Sequence, residues 1–322
     1  MNIGLDIMGG DFAPKAAIEG VALFLKNNED TSIRLTLIGN LEASAPYLHL
    51  LEQYKNRYAF IPAETTIGMH EHPTKALKEK QNSSIAIGFG LLQMKKIDAF
   101  IGAGNTGAML VGAMYTVKAI PGVLRPTIGS PLPTYKGKFN LLLDVGANAD
   151  CKPEHLAQFA TMGNLYMKHV LNVETPRVGL LNIGEEEGKG NILAQATYPL
   201  LKNNSEINFI GNIEGRNVFR NEVDVTVCDG FTGNVILKLA ESFYDILSED
   251  IGHQGEFISR MNYEDYGGIP ILGVNAPVII GHGISKAKVF NEMINQSIKV
   301  INTNFIQVLT DYFAQHLPEE QK

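Results

Sequence analysis

Short apolar runs alternate with helical patterns along almost the whole of this chain, and that rhythm restricts it to a largely parallel sheet covered by helices on both faces. The runs read as strands over Ile3 to Ile7, Ile33 to Ile38, Ala99 to Ile101, Asn140 to Asp144, Arg177 to Asn182, Asn208 to Ile210, Val225 to Val227 and Pro277 to Ile280. Helical spacing occupies Lys15 to Lys26, Ser83 to Lys95, Thr106 to Val117, Pro153 to Lys168, Ile192 to Leu201 and Thr232 to Leu247. Ser285 is expected to cap a long C-terminal helix. Its apolar positions, Val289, Phe290, Met293, Ile294, Ile298, Ile301, Phe305, Val308 and Leu309, form one stripe for a core or a dimer interface. The expected class is therefore α/β, three layers deep, with a mostly parallel sheet. No low-complexity linker interrupts the 322 residues, so 1–322 read as a single α/β domain with ample core and a short disordered tail at 318–322.

One motif occurs twice in the same register. Asp98 to Gly107 read D-A-F-I-G-A-G-N-T-G, and Asp224 to Gly233 read D-V-T-V-C-D-G-F-T-G. Each copy is a buried strand, a glycine turn and a helix N-terminus, a geometry that aims backbone N–H groups and the positive end of a helix dipole at one spot. Two such spots point to phosphate or another anion. The first copy also satisfies G-x-G-x-x-G, yet a dinucleotide site wants an acid about 20 residues on, where this chain has I-P-G-V-L-R-P-T. Gly184 to Gly190, G-E-E-E-G-K-G, is one residue too short for a Walker A loop and lacks its Ser or Thr. Neither a nicotinamide dinucleotide nor nucleotide hydrolysis fits.

A net charge of -7 with no basic cluster argues against nucleic-acid binding. Two cysteines, Cys151 and Cys228, are too few for a disulfide framework or structural zinc, which points to a reducing cytoplasm. The N-terminus reads as a first strand and not as a targeting segment. Ala99 to Val117 is free of charge, but its glycines and Asn105 suit a strand–turn–helix better than a membrane span.

Polar loops fall where strands should end: Asp144 to Asp150, Gly188 to Asn191 and Gly281 to Lys286. Ligands of open α/β sheets bind at those carboxyl ends. The loops would bring together Asn105, Thr106, Asp144, Asn148, Lys189, Asn191, Asp229, Thr232, Asn234 and His282.

Several strings carry a family resemblance: M-G-G-D-F-A-P at 8–14, A-G-N-T-G-A at 103–108, L-L-D-V-G-A-N at 142–148, K-P-E-H-L at 152–156, R-V-G-L-L-N-I-G at 177–184, K-G-N at 189–191, N-F-I-G-N-I-E at 208–214 and V-C-D-G-F-T-G-N at 227–234, with Y-G-G and H-G near 266 and 282. In order and over nearly the whole chain, they resemble the bacterial phosphate acyltransferase family, the acyl-acyl-carrier-protein:phosphate transacylases of phospholipid synthesis. The resemblance implies a Rossmann-like α/β/α fold similar to isocitrate and isopropylmalate dehydrogenases and phosphotransacetylase. It implies acyl phosphate as product, acyl carrier protein and inorganic phosphate as substrates, a membrane glycerol-3-phosphate acyltransferase as recipient, a homodimer, and no cofactor or metal. An acyl-CoA-dependent phosphotransacetylase and a non-catalytic regulator that retains the pocket stay open as alternatives.

In that chemistry phosphate is the nucleophile, so the site must hold a dianion, stabilise an oxyanion and protonate a thiolate. Phosphate would be held by Gly104, Asn105, Thr106, Gly107, Asn148, Asn191, Gly230, Thr232 and Gly233. Lys189 would supply charge, Asn105, Asn148 or Asn234 would face the oxyanion, and His155 or His282 would give the proton. Asp229 would organise the acyl-transfer centre. Blander readings compete: Asp98 and Asp224 brace loops, Asp144 and Asp229 support neighbours, His155 braces its helix, and His70 and His72 lie on a surface loop without a metal. Tyr266 reads as a packing anchor. Relative to the family, the segment 249–265 is short, acidic and carries only Arg260 as a base. It predicts weak or partner-dependent association with the inner face of the membrane.

Overall fold

The computed structural model describes residues 1–135, 137–251, 256–262 and 266–316; the expected tail at 318–322 lies outside them. From the N-terminus run β1 (Asn2–Asp6), α1 (Lys15–Asn27), β2 (Arg34–Gly39), α2 (Leu41–Ser44), β3 (Tyr58–Pro62), α3 (Pro73–Glu79), α4 (Ser84–Gln93), β4 (Ala99–Gly102) and α5 (Thr106–Gly112). Then come β5 (Thr127–Pro133), β6 (Phe139–Leu143), α6 (Pro153–His169), β7 (Arg177–Asn182), α7 (Ile192–Lys202), β8 (Asn208–Glu214), β9 (Val225–Val227), α8 (Gly230–Ile251) and α9 (Glu256–Arg260). The last elements are β10 (Ile269–Leu272), β11 (Val278–Ile280), α10 (Ala287–Asn302) and α11 (Phe305–Gln315).

These elements fall into two compact units. One is drawn from the described residues of Met1–Ala119 and Glu264–Ile306, the other from those of Ile120–Tyr263 and Gln307–Lys322. In the first unit the strand order is β3-β2-β1-β4-β11-β10, parallel except for the β10–β11 pair. Every residue of β4 is buried, as the unbroken apolar run of a strand covered on both faces requires. α1 and α10 supply one covering layer, and Phe24, Phe290, Met293 and Ile294 join Ile3, Leu5 and Ile7 in its core. Burial of each such side chain is worth roughly 1.5–3 kcal/mol. The first half of the C-terminal stripe is thus core and not interface.

In the second unit the order is β5-β6-β9-β7-β8, with only β5 antiparallel. Leu141, Leu142, Leu143, Val225, Val227 and Phe159 are buried here. The polar pair inside this sheet is satisfied reciprocally: Asn140 Nδ2 donates to Thr226 Oγ1 at 2.8 Å, and that hydroxyl donates to Asn140 Oδ1 at 3.0 Å.

The C-terminal helix differs from expectation at both ends. Lys286, not Ser285, occupies its N-cap, and Ser285 is buried with its Oγ unpartnered. Thr303 and Asn304, the latter at φ 51°, divide the expected single helix into α10 and α11. α5 is shorter than its pattern, because Ala113–Val117 continues as a π-helical turn.

Candidate active site

In the second unit the loop after β6 wraps its own acid. The Asp144 carboxylate accepts from the backbone N–H groups of Gly146, Ala147 and Asn148, each at 2.9 Å, and from Asn148 Nδ2 at 2.6 Å. Burial pushes this carboxyl above its ordinary range, and the four donors oppose that push. Asn148 Nδ2 also donates to Pro126 O at 2.8 Å, so its amide is committed to the loop.

The second glycine motif closes against this loop. Gly230 N donates to Asn148 O at 2.8 Å, and Asn234 Nδ2 donates to Val145 O at 3.0 Å. A Cβ at Gly233 would stand 1.8 Å from Asp144 O, so only glycine permits the approach. Asp229 caps α8, accepting from Thr232 N at 2.9 Å and from Thr232 Oγ1 at 2.8 Å. The N–H groups of Gly230, Thr232 and Gly233 expected to hold phosphate therefore donate within the protein. Cys228 and Cys151 lie in the same loops, their Sγ atoms donating to Asp144 O at 3.6 Å and Asn148 O at 3.5 Å. Burial, then the Asp144 charge, pushes the Cys151 thiol up to about 11; burial also raises Cys228 well above its ordinary value.

His155 is buried in the first turn of α6, where its Nδ1 accepts from Lys152 N at 3.1 Å. A neutral ring that accepts at Nδ1 carries its proton on Nε2. Burial, then the charges of Arg125 and Lys152, lowers its pKa and favours that neutral form. His155 is both a helix brace and a placed N–H donor.

Asn182, at the end of β7, shapes the K-G-N loop. Its Nδ2 donates to Lys189 O at 3.0 Å, and Gly190, at φ +99°, passes so close that a Cβ would meet Asn182 Oδ1 at 2.3 Å. Lys189 is exposed on this loop. Next to it Asn191 caps α7 by accepting from Ala194 N at 2.8 Å. Asn191, Asp229 and Thr232 line one cavity of about 560 Å³ at the carboxyl ends of these strands. Lys189 and His155 lie outside that lining.

In the first unit Gly104, Asn105, Thr106 and Gly107 join β4 to α5. Asn105 caps α5 by accepting from Ala108 N at 3.0 Å, and its Nδ2 donates to the carbonyls of Gly68, Met69 and Glu71. The expected anion ligand is thus bound to the H-E-H-P loop. That loop is braced further, because Glu71 Oε1 accepts from Gly68 N and Lys80 Nζ, each at 2.6 Å. Thr106 is exposed at the helix start. Gly281 N donates to Gly102 O at 2.9 Å and Asp11 N to Gly283 O at 2.7 Å, which sets the half-buried His282 beside this first glycine loop.

The acids that open the two repeats are braces. Asp98 Oδ2 accepts from Asn2 N at 2.7 Å. Asp224 takes a fork from Arg177, Nε to Oδ2 at 2.9 Å and Nη2 to Oδ1 at 3.0 Å, plus Arg177 N at 2.8 Å. Burial raises Asp224, but the Arg177 contacts outweigh it and the net shift is downward. Sequence reasoning overlooked Arg125, whose charge reaches both His155 and Cys151. It also passed over Asn182. Arg125 was legible only as a lone base in a Gly- and Pro-rich loop, whose absent ribose acid drew attention first.

Comparison with known proteins adds two kinds of likeness. The family described as "Fatty acid synthesis protein" matches residues 1–308. The phosphate acyltransferase of Dictyoglomus thermophilum is 43% identical over 94% of both chains, and that of Aquifex aeolicus is 40% identical over 100% of this chain and 99% of its own. Among solved structures, a phosphotransacetylase from Streptococcus pyogenes aligns at TM-score 0.62 and 14% identity over 94% of both chains. A branched-chain phosphotransacylase from Enterococcus faecalis aligns at 0.59 and 13%, covering 94% of this chain and 99% of its own. At those identities the structures establish a shared Rossmann-like α/β/α fold.

Proposed function

Since this chain belongs to the bacterial phosphate acyltransferase family, and is thus an enzyme of acyl transfer to phosphate, we propose that its donor is a fatty acyl thioester of acyl carrier protein and its product an acyl phosphate for phosphatidic acid synthesis. A phosphate oxygen attacks the thioester carbonyl, the C–S bond breaks, and the departing sulfur takes a proton. The observation that carries this reading is the meeting of Asn191, Asp229 and Thr232 around one cavity at the strand ends, where α/β enzymes bind ligands. Lys189, exposed beside Asn191, supplies charge for the incoming dianion. His155, neutral with its proton on Nε2, can offer a hydrogen bond to the oxyanion or the departing sulfur, and would act as the acid only as imidazolium, which its lowered pKa disfavours. His282, the other candidate proton donor, stands by the first glycine loop, where the Thr106 and Gly107 end of α5 favours an anion.

The homodimer has a candidate face on α8. Phe231, Val235, Leu239, Phe243 and Ile246 are exposed at helical spacing along it. The expected weak membrane association rests on the segment around α9, part of which lies outside the described residues. Its base, Arg260, donates to Thr134 O and Tyr135 O and pairs with Glu256, so its charge is committed locally. Among the described residues no helix is long and apolar enough to cross a membrane. We place the enzyme in the cytoplasm, handing its product to a membrane glycerol-3-phosphate acyltransferase.

The test is incubation with acyl-acyl-carrier-protein and phosphate, with acyl phosphate trapped by hydroxylamine. A phosphate-dependent hydroxamate is expected, and its absence rejects the reading. Equal or faster turnover of acyl-CoA would transfer the donor role to that thioester.

A further inference from the structure

The cavity of the second unit carries the polar side chains of Asn182, Asn191, Asp229 and Thr232 and is otherwise lined mainly by apolar residues. Asn191, Asp229 and Thr232 stand where α7 and α8 begin, whereas Leu193, Ala194 and Ile236 lie within the first turns of the same helices, with Leu180 from β7 and Leu156 from α6 completing the wall. Asp229 is its single charged lining side chain among the described residues, and that carboxylate already accepts two hydrogen bonds from Thr232. A phosphate or nucleotide seated inside would meet an acid and a leucine wall, with no cation. An uncharged apolar ligand meets no such conflict.

The surroundings carry the same sign. Ile183, which lines the cavity, is 81% exposed, and Ile192, between Asn191 and Leu193, is 88% exposed. Taking such apolar side chains out of water is favourable, so a ligand that covers them is favoured. At the polar rim, first-turn N–H groups of a helix have no intrahelical partner, and the Asn191 cap takes only that of Ala194. The positive end of α7 thus flanks the rim, a setting that suits the partial negative charge of a carbonyl oxygen, whereas the N–H groups of Gly230, Thr232 and Gly233 on α8 already donate within the protein. At about 560 Å³ the cavity has the size of a small-molecule site.

We propose that this cavity holds the acyl chain of the thioester donor, with the carbonyl at the Asn191–Thr232 rim, and that Leu193 and Ile236 determine the chain length accepted. The assignment rests on the acyl-transfer reading above. Leu193→Phe and Ile236→Phe narrow the cavity from two different helices, and Ile236→Ala widens it. With butyryl and palmitoyl thioesters of acyl carrier protein as paired donors, each Phe variant should lower kcat/KM for palmitoyl by about tenfold or more and leave butyryl within about twofold, as a lost methylene or two in a pocket predicts. Ile236→Ala should move the ratio toward bulkier, branched chains. Thermal melts verify that each variant is folded. If both Phe variants melt as the parent does and lower the two donors equally, or alter neither, the cavity is not the chain site. Failure of the parent enzyme to make acyl phosphate from any donor rejects the transfer reading itself, and the chain site with it. Parent turnover with unaltered chain preference in the variants rejects the chain site alone.

Discussion

Replacing Gly233 by Ala tests whether the approach of α8 to the Asp144 loop governs this protein. The new methyl would stand 1.8 Å from Asp144 O, 2.9 Å from the carbonyl carbon and 3.0 Å from Cys228 Sγ. An ordinary C···O contact needs about 3.3 Å, so helix or loop must retreat by roughly 1.5 Å. The obstructing atoms are backbone, held by the four donors to Asp144, so the cost lies at the upper end of overpacking, about 3 kcal/mol. Helix propensity favours Ala over Gly by roughly 1 kcal/mol, which leaves a net loss of about 2 kcal/mol. For a unit of this size that lowers Tm by roughly 4–8 °C. Gly90→Ala, in α4 with nothing within 4 Å of the added methyl, is the matched control and should raise stability slightly. Calorimetry reads both, and the hydroxamate assay should show Gly233→Ala also losing turnover. Equal melting temperatures for Gly233→Ala and its parent would refute the close-approach reasoning.

Three further outcomes are expected. Asp224→Asn breaks the Arg177 fork and should cost about 1–3 kcal/mol, discounted because Arg177 is partly exposed. Since the folded Asp224 pKa is lowered from 3.8, that stabilisation is present above the unfolded value and lost as pH falls through the folded one. Urea unfolding of the two proteins should therefore converge in acid. Arg125→Ala removes a charge that lowers His155, so the His155 pKa, followed by NMR titration, should rise toward 6.5; a downward movement would contradict the assignment. Lys189→Ala should reduce kcat/KM for phosphate by about tenfold or more, the worth of one charge-assisted contact, and unchanged kinetics would remove Lys189 from the site.

Strands buried on both faces were readable because their apolar runs are continuous: β1, β4, β6 and β9 fall where expected. β3, β5 and β10 were not. β5 contains Gly129, Pro131 and Pro133, residues that mark breaks, yet the two prolines are two positions apart, so their missing N–H groups fall on one side of the strand. The cap residues Ser83, Asn105 and Asn191 were visible as helix starts. Their partners were not, because Asn105 donates to carbonyls at residues 68–71 and Asn148 to Pro126 O, contacts across sequence separations that no local pattern encodes. Reading asparagine as a ligand overlooked how many loop carbonyls need a donor.

The two raised thiols have a chemical consequence for an enzyme of acyl transfer to phosphate. With a pKa of about 11, Cys151 is thiolate in roughly one molecule in ten thousand at neutral pH, and only the thiolate attacks a thioester or a disulfide. Cys228, although it lines the cavity, is likewise pushed well above the ordinary thiol range by burial and so held protonated. Toward the thioester donor proposed above, both thiols are therefore poor acceptors for transthioesterification. Phosphate is left without a strong rival nucleophile among the protein's own side-chain thiols.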